Sequence, residues 1–272
     1  MQEAKTDGLS KCVSKIRDLY LSDFNPLEYH STFYSTLDDE VKFFLDNYHD
    51  AFQKDNLLKS LSSNKRRVLD FGCGPVPVYA ATAAYFTNSI TMAEIVPANR
   101  KALESWMSSE EDAIDWSQFF THIASLDDET RTGDEYATKL QDAFQLVVPC
   151  DGGLPNPLHP VCQTYDVVMS TLCLEFATTS LDDYRSMLAN VTSLIKPGGV
   201  LMMAGALGNT SYQVGQCTYP SVTLTKEDIT DVFTSLETLQ LVALRTLDRQ
   251  TSLEKPANHK GIFFLMAQKT KK

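Results

Sequence analysis

Short apolar runs alternate with amphipathic stretches along most of the chain. Several of the runs are bounded by turn-forming or polar residues, as buried strands are: 67–71, 89–94, 146–148, 165–170 and 200–204. Two more β-rich runs, 241–247 and 261–268, close the sequence without a helix between them. Alternating strands and helices predict βαβ units and a parallel sheet. The last two strands are expected to pair antiparallel at one edge of that sheet.

Amphipathic or alanine-rich segments between the runs predict the helices. Residues 181–194 carry apolar side chains at helical spacing, and Lys196–Gly199 is the expected end of that helix. The other predicted helices are Val76–Phe86, Ala98–Met107 behind Pro97, Glu135–Gln145 and Lys226–Leu236. Residues 108–134 and 152–162 are expected to be irregular.

The segment before the first strand predicts a helical cap. Apolar side chains recur at helical spacing over 41–52, and Ser35 or Thr36 is the expected residue that caps the start of this helix. The chain is therefore predicted to be a single α/β domain. It would have a helical cap or lid over 1–60 and a core with a Rossmann-like sheet over 61–272.

Composition and charge narrow the possible partners. The net charge is -11 at pH 7, and the sequence lacks a basic stripe that would displace counterions from a nucleic-acid backbone. No apolar run reaches the roughly 18 residues of a membrane span, and the polar N-terminus lacks a signal-peptide core. The six cysteines form no CxxC pair and the five histidines are dispersed, so no metal site is expected. We therefore expect a cytoplasmic monomer that binds neither nucleic acid nor a membrane.

A glycine loop follows the first predicted strand in Asp70–Pro75. Gly72 and Gly74 allow the chain to turn sharply and bring main-chain groups against a ligand. Glu94 ends the second strand about 20 residues later, where an acid accepts hydrogen bonds from ribose hydroxyls in such folds. A simple turn is the alternative. A nicotinamide dinucleotide would require a third glycine where Pro77 stands, and the Lys of a P-loop is missing. The loop favours S-adenosylmethionine, which has no pyrophosphate.

Seven motifs in this order resemble a known family: Tyr20–Pro26, Gly72–Pro75, Asp115–Ser117, Ser170–Glu175, Leu194–Gly199, Gly205–Leu207 and Lys260–Phe264. Together they are similar to the small-molecule N-methyltransferases that include nicotinamide, phenylethanolamine and indolethylamine N-methyltransferases. The resemblance covers the chain from about Tyr20 to Lys269. It implies the Rossmann-like class I methyltransferase fold, with an antiparallel edge strand and an N-terminal helical cap. S-adenosylmethionine would be the methyl donor and S-adenosylhomocysteine the product.

The resemblance also implies the residues of the cofactor site. Tyr29 and Tyr34 match two tyrosines that hold the methionine carboxylate, and Glu94 matches the ribose-binding acid. Asp151 matches the acceptor for the exocyclic amine of adenine. The remaining matches are the loop residues Gly72, Cys73 and Gly74, the polar contact Asn99, Gly152 beside Asp151, and Thr171 near the methionine part.

One cofactor contact departs from the family pattern. The family has a tyrosine where Val78 stands on ungapped alignment, and Tyr79 is the next residue. A local shift of one position would restore the contact, so Tyr79 is our candidate.

The acceptor side is less complete. Glu175 stands where the amine-methylating members have an acid, and it is the candidate catalytic carboxylate. The alternative is an acid that merely stabilises the first turn of a helix. Tyr212 matches a tyrosine on the roof of the substrate pocket, and Ser221 matches a serine that contacts nicotinamide in the nicotinamide members.

Other acceptor positions differ from both well-known patterns. Gly205 replaces the aspartate of the nicotinamide and indolethylamine enzymes, whereas the phenylethanolamine enzymes have glycine there. Asn209 replaces an acid of the phenylethanolamine enzymes, and another of their acids, in the loop near Ala257, is also missing. Asn209 and His259 are candidate polar contacts in their place, or else exposed loop residues. The expected substrate is a small amine or a pyridine-type nitrogen that is methylated by direct in-line displacement. The alternatives are a cofactor-binding module with lost or altered catalysis and a methyltransferase of another small-molecule acceptor.

Overall fold

The computed structural model describes residues 11–61, 66–127, 130–249 and 255–271, so residues 1–10 of the predicted cap lie outside these ranges. The strands are β1 Val68–Phe71, β2 Ile90–Ala93, β3 Phe144–Val148, β4 Tyr165–Thr171, β5 Ile195–Leu207, β6 Ser211–Val214, β7 Cys217–Pro220, β8 Leu239–Asp248 and β9 Gly261–Lys269. A seven-stranded sheet has the order β3-β2-β1-β4-β5-β9-β8, and β6 and β7 form a separate hairpin.

The direction of the strands agrees with the sequence prediction. The strands β1 to β5 pair in parallel, whereas β9 pairs antiparallel with both β5 and β8. All residues of β1 and β2 are buried, as expected for strands covered on both faces. The predicted parallel sheet with antiparallel pairing of its last two strands is confirmed.

The helices complete the architecture. They are α1 Lys11–Asp23, α2 Pro26–Phe33, α3 Asp39–Lys54, α4 Asn56–Ser60, α5 Val78–Ala81, α6 Pro97–Met107, α7 Ser117–Ser125, α8 Gly133–Ala143, α9 Leu181–Ser193 and α10 Lys226–Ser235. Within the described ranges, no helix is both long enough and apolar enough to cross a bilayer.

Two apolar clusters lie on opposite faces of the sheet. Because side chains alternate along a strand, Val68 packs in one cluster and Leu69 in the other. Phe44 of α3 and Leu140 of α8 join the first cluster, and Leu188 of α9 joins the second. The result is a three-layer arrangement that leaves the carboxyl ends of the parallel strands open for a site.

The predicted helix over Val76–Phe86 is wrong for most of its length. The helix α5 ends at Ala81, and the residues after it form turns with bonds of the i to i+3 type, such as Phe86 N–H to the Ala83 carbonyl at 2.9 Å. Thr82 Oγ1 donates to the Tyr79 carbonyl at 2.6 Å, which competes with the regular helical ladder.

The predicted start of α3 at Ser35 or Thr36 is also wrong. Asp38 is the N-cap, because its carboxylate accepts from the backbone N–H groups of Glu40 and Val41. The chain before it is held elsewhere: the Ser35 carbonyl accepts from Gln118 Nε2 at 3.2 Å.

Two further boundaries differ from the prediction. The helix α7 lies inside residues 108–134, which were expected to be irregular. It forms there because Phe119 and Ile123, four residues apart, bury one apolar face of the helix. The segment Lys196–Gly199 belongs to β5 instead of ending α9. A register shift opposite Tyr165 and a positive φ of 78° at Gly198 accommodate it as an irregularity of the strand.

Candidate active site

A cavity lies at the carboxyl ends of β1, β2 and β4. The structure brings together all the residues that the sequence analysis assigned to a cofactor, and they line this one cavity: Tyr29, Tyr34, Gly72, Cys73, Gly74, Tyr79, Glu94, Asn99, Asp151, Gly152 and Thr171. The position is the one at which open α/β sheets bind nucleotides.

The glycine loop forms the floor of the cavity. Gly72 and Gly74 have φ angles of 66° and 59°, in the left-handed region that side chains disfavour. A Cβ atom at Gly72 would also collide with the Cys173 side chain. Gly72 N–H donates to the Ala93 carbonyl at 2.7 Å, which ties the loop to the end of β2. The loop is therefore fixed with its backbone facing the cavity.

Glu94 anchors the same region from the end of β2. Its Oε2 accepts from Gly74 N–H at 3.0 Å, and its Oε1 accepts from Val96 N–H at 2.9 Å and Asn99 Nδ2 at 3.1 Å. Burial raises the pKa of Glu94 above its usual value, although these hydrogen bonds oppose the shift. Asn99 Oδ1 is buried and has no hydrogen-bond partner among the described residues. This acceptor is thus available for a donor on a ligand.

Tyrosine hydroxyls line the opposite side. Tyr34 and Tyr79 place their hydroxyl oxygens 3.2 Å apart. Val78 instead packs in the apolar core, so the tyrosine that reaches the cavity is Tyr79. The Tyr48 hydroxyl lies 2.8 Å from Thr171 Oγ1 and fixes that side chain at the end of β4.

The helix α1 covers the cavity, and the residues that it contributes were not predicted individually. Val13, Ile16, Arg17 and Tyr20 line the cavity at the i, i+3, i+4, i+7 spacing of one helix face, and that spacing was the available signal. Arg17 Nη1 lies 3.1 Å from Asp151 Oδ2. This ion pair joins α1 to the loop that follows β3.

A second cavity adjoins the first. Four residues line both: Tyr29, Tyr34, Leu172 and Tyr212. Leu172, which follows β4, has a φ of 49°, and a residue other than glycine in this region stores backbone strain that often marks a functional position. Tyr212, the residue predicted for the roof of the substrate pocket, lines both cavities and so lies where they meet.

The second cavity combines aromatic and charged walls. Phe33, Phe44 and Phe176 contribute rings, and His259 lies there as a buried residue, so its exposed-loop alternative is wrong. Glu40 and Lys255 also line it. The sequence analysis missed both, because the two residues are far apart in the chain and neither lies in a recognisable motif.

Glu175 lies directly behind a wall of the second cavity. Its neighbour Phe176 and its hydrogen-bond donor Ala206 both line the cavity, and Ala206 N–H donates to Glu175 Oε1 at 2.9 Å. Burial raises the pKa of Glu175 to about 7. Glu175 lies in a turn, and the next helix begins only at Leu181. The alternative of an acid at a helix start is therefore wrong.

Two predicted acceptor contacts bind each other. Asn209 Nδ2 donates to Ser221 Oγ at 2.8 Å, and both residues are buried, so neither is an exposed loop residue. Neither lines the two cavities described above. Asn209 Oδ1 has no hydrogen-bond partner in the described part of the chain.

Known proteins are similar to this chain in sequence. Residues 12–270 match the sequence profile of the NNMT/PNMT/TEMT family. Nicotinamide N-methyltransferase of Homo sapiens is 30% identical over 264 residues, covering 93% of this chain and 96% of that protein. Indolethylamine N-methyltransferase of Oryctolagus cuniculus is 31% identical over 261 residues, with 93% and 95% covered.

A solved structure shares the fold at low sequence identity. The magnesium protoporphyrin IX methyltransferase of Synechocystis PCC 6803 with bound SAH aligns with a TM-score of 0.57 and 11% identity, covering 96% of this chain and all of that one. The Rossmann-like sheet described above is therefore one that methyltransferases use.

Proposed function

Because the chain belongs to the NNMT/PNMT/TEMT family, we propose that it transfers a methyl group from S-adenosylmethionine to a nitrogen of a small amine. S-adenosylhomocysteine is the second product. The observation that carries the proposal is the pair of adjoining cavities, one around the glycine loop and one between α3 and the final loop, that share Tyr29, Tyr34, Leu172 and Tyr212.

The first cavity suits the cofactor. Glu94 offers a carboxylate to the two ribose hydroxyls. Asn99 Oδ1, which has no hydrogen-bond partner in the described ranges, is a further acceptor near it. Asp151 is the acceptor for the adenine amine. Tyr34 and Tyr79 supply hydroxyl donors for the methionine carboxylate. The bound cofactor supplies an electrophilic methyl group.

The protein's own residues supply alignment and exclusion of water. A displacement of this kind needs donor and acceptor in line, and orientation contributes several kcal/mol to such reactions. Tyr212 and Tyr29 confine the junction between the cavities, and α1 shields it from solvent through Tyr20, whose hydroxyl lies 2.8 Å from that of Tyr212. No covalent nucleophile is required for this chemistry.

Glu175 supports the proton transfer that an amine requires. An ammonium ion has no free electron pair, so the acceptor must lose a proton to react. A carboxyl group with a pKa of about 7 is well matched to receiving a proton near neutral pH. Because Glu175 lies behind the wall formed by Phe176 and Ala206, it acts through a short local rearrangement or a water.

The arrangement of Asn209 and Ser221 favours an amine over nicotinamide. Ser221 matches the serine that contacts nicotinamide in the nicotinamide members, but here its Oγ already accepts a hydrogen bond from Asn209 Nδ2. The residue is also absent from the linings of both cavities. The carboxamide of nicotinamide would therefore have to displace an internal hydrogen bond.

Calorimetry and product analysis test the proposal. Titration of the protein with S-adenosylmethionine should show binding, and mass spectrometry should then show a methylated product from a panel of arylalkylamines. Absence of cofactor binding would refute the function. Cofactor binding without turnover of any amine or pyridine would instead favour the binding-module alternative.

We also propose that the protein acts as a cytoplasmic monomer with small-molecule partners. Its net charge of -11 disfavours anionic surfaces. Light scattering after gel filtration and cell fractionation would test the two parts of this proposal.

A further inference from the structure

The second cavity carries an acidic group that the proposed chemistry does not use. Glu40 lies in the first turn of α3 and lines the cavity, with 5% of its surface exposed. The amino end of a helix favours a negative charge there. Except for Lys255 and His259, the other described residues that line the cavity are apolar or tyrosine. A carboxylate in such surroundings demands a partner.

One partner of Glu40 is His259. His259 Nε2 lies 2.7 Å from Glu40 Oε1. On the other side of the ring, Arg249 Nη1 lies 3.5 Å from His259 Nδ1. Because an ionised carboxylate only accepts, Nε2 carries a proton and donates it to Glu40. The histidine therefore links Arg249 to the Glu40 carboxylate.

Lys255, which also lines the cavity, is already paired. Lys255 Nζ forms an ion pair with Asp38, the N-cap of α3. Arg249 also donates to the Lys255 carbonyl at 3.1 Å and to the His259 carbonyl at 3.3 Å, so the loop that carries both cavity residues is fixed. Lys255 thus neutralises Asp38, and the second oxygen of Glu40 has no hydrogen-bond or ion-pair partner among the described residues.

The ionised state of Glu40 agrees with this geometry. Burial by itself would raise the pKa of Glu40, but the hydrogen bond from His259 and the charges of His259, Lys255 and Arg249 outweigh it, and the pKa lies below its usual value. Oε2 accepts no hydrogen bond from any residue in the described ranges. The cavity wall therefore presents an open anionic acceptor.

We propose that Glu40 is the specificity-determining residue of the acceptor cavity and that it selects amines with a second hydrogen-bond donor, a hydroxyl or amino group, remote from the methylated nitrogen. The inference rests on the proposed function. The body of such an acceptor packs against the rings of Phe33, Phe44 and Tyr212. Its remote donor binds Glu40 Oε2, since a buried charged acceptor left unpaired is costly.

Matched phenethylamines test this selection. One set carries a hydroxyl group at the meta or para ring position, a second carries an aminomethyl group there, and a third carries a methyl group of similar size. Affinities are measured by calorimetry on the protein saturated with S-adenosylhomocysteine, and kcat/KM is measured with S-adenosylmethionine. The better donor-bearing amine should exceed its methyl analogue about 10- to 100-fold in both. The hydroxyl and aminomethyl arms show whether the preferred donor is neutral or charged.

Two variants assign the preference to Glu40. Glu40→Gln removes the anionic acceptor and should reduce the preference to within about threefold. Asp39→Asn is the matched control, since it removes the same charge from the same helical turn at a side chain that is 71% exposed, and it should keep the preference.

Several outcomes overturn the inference. They are equal affinities for the analogues in the natural protein, no binding of either, or a preference that survives in Glu40→Gln. If Glu40→Gln fails to fold, the comparison within the natural protein decides alone. Selective binding of the donor-bearing amine without methylation would refute the proposed function and leave this inference standing. Equal binding and equal methylation of the hydroxyl, aminomethyl and methyl analogues would support the proposed function and refute this inference.

Discussion

The carboxylate of Glu175 occupies the space above Gly205. A Cβ atom added to Gly205 would collide with Glu175 Oε1 and would lie 2.7 Å from a carbon of the Phe263 ring. The family resemblance puts an aspartate of other members at position 205. In this chain the acidic group over that point of β5 comes from Glu175 instead. The place of the aspartate that this chain lacks at position 205 is thus occupied by the carboxylate of Glu175, which follows β4 instead of lying on β5.

We expect Gly205→Ala to lower the free energy of unfolding by about 1–3 kcal/mol, because a methyl group has no room there. Its cost should be smaller when Glu175→Ala is also present, since one of the two obstacles is removed. Chemical denaturation of the four proteins of this double-mutant cycle measures the coupling. Equal costs in both backgrounds would contradict the contact.

The activity should depend on pH through Glu175. The pKa of about 7 means that the carboxylate form, which can take a proton from an amine, is present only as the pH rises through that value. We expect kcat/KM for an amine to rise with pH around 7, and Glu175→Gln to lower the rate and remove this limb. A pyridine-type acceptor, which has no proton to lose, is the control and should not show the limb. An unchanged profile in Glu175→Gln would exclude the role.

Asp70 should make the protein less stable as the pH rises. Both carboxylate oxygens are buried without a hydrogen-bond partner among the described residues, and burial, together with the charge of Glu94, raises its pKa from 3.8 to about 8. Between pH 3.8 and about pH 8, Asp70 is protonated in the folded chain and ionised in the unfolded chain. The stability that this protonation contributes is therefore fully present below pH 3.8 and is lost as the pH rises towards 8.

The variant Asp70→Asn tests this dependence. It keeps the shape of the side chain and removes the titration, so its unfolding free energy relative to the natural protein should rise from pH 4 to pH 8. Urea denaturation at several pH values gives this difference. A difference that is independent of pH would show that Asp70 does not titrate in this range.

Glu94→Ala should weaken binding of S-adenosylmethionine by about 1–3 kcal/mol, the cost of leaving buried donors unpaired. Glu94→Gln keeps one acceptor oxygen for Gly74 N–H, Val96 N–H or Asn99 Nδ2 and should lose less. Calorimetry measures both, with thermal unfolding as the control for the folded state. An unchanged affinity in Glu94→Ala would place the ribose site elsewhere.

Asn209→Ala should increase the use of nicotinamide relative to an arylalkylamine. The substitution frees Ser221 Oγ, which now accepts from Asn209 Nδ2 at 2.8 Å. The ratio of the two kcat/KM values should shift towards nicotinamide by about tenfold, the worth of one hydrogen bond to a buried group. Asn258→Ala is the control, because Asn258 binds the neighbouring Thr210 Oγ1 at an exposed position. An unchanged ratio would show that Asn209 does not limit this site.

Much of the fold followed from periodicity along the chain. The strands were predicted because short apolar runs between turn signals depend on neighbouring residues alone. Errors fell where a distant contact decided the boundary. Asp38, not Ser35, begins α3 because Gln118 holds the preceding residues, and α5 ends early because turn bonds replace its ladder.

Part of the cofactor side was predictable for a similar reason. Gly72, Gly74 and Glu94 follow strand ends, and the carboxyl ends of parallel strands meet at one edge of a sheet. The other residues of this side, such as Tyr29 and Asn99, were expected because the resemblance to a known family implies them. The motif that ends at Gly74 and the acid Glu94 needed no distant information. The shift from Val78 to Tyr79 did, because only the packed chain shows which side chain faces the cavity.

By itself the sequence determined the sheet and the glycine loop, since both depend on local pattern and strand order, and its resemblance to a known family supplied most of the other residues around one cavity. Only the tertiary structure decided the acceptor side. There Glu40 meets His259 across 219 positions of the chain, Asn209 binds Ser221, and Glu175 covers Gly205. Contacts between residues so far apart depend on how α3, β5 and the final loop pack together, and no periodicity in the sequence records that packing.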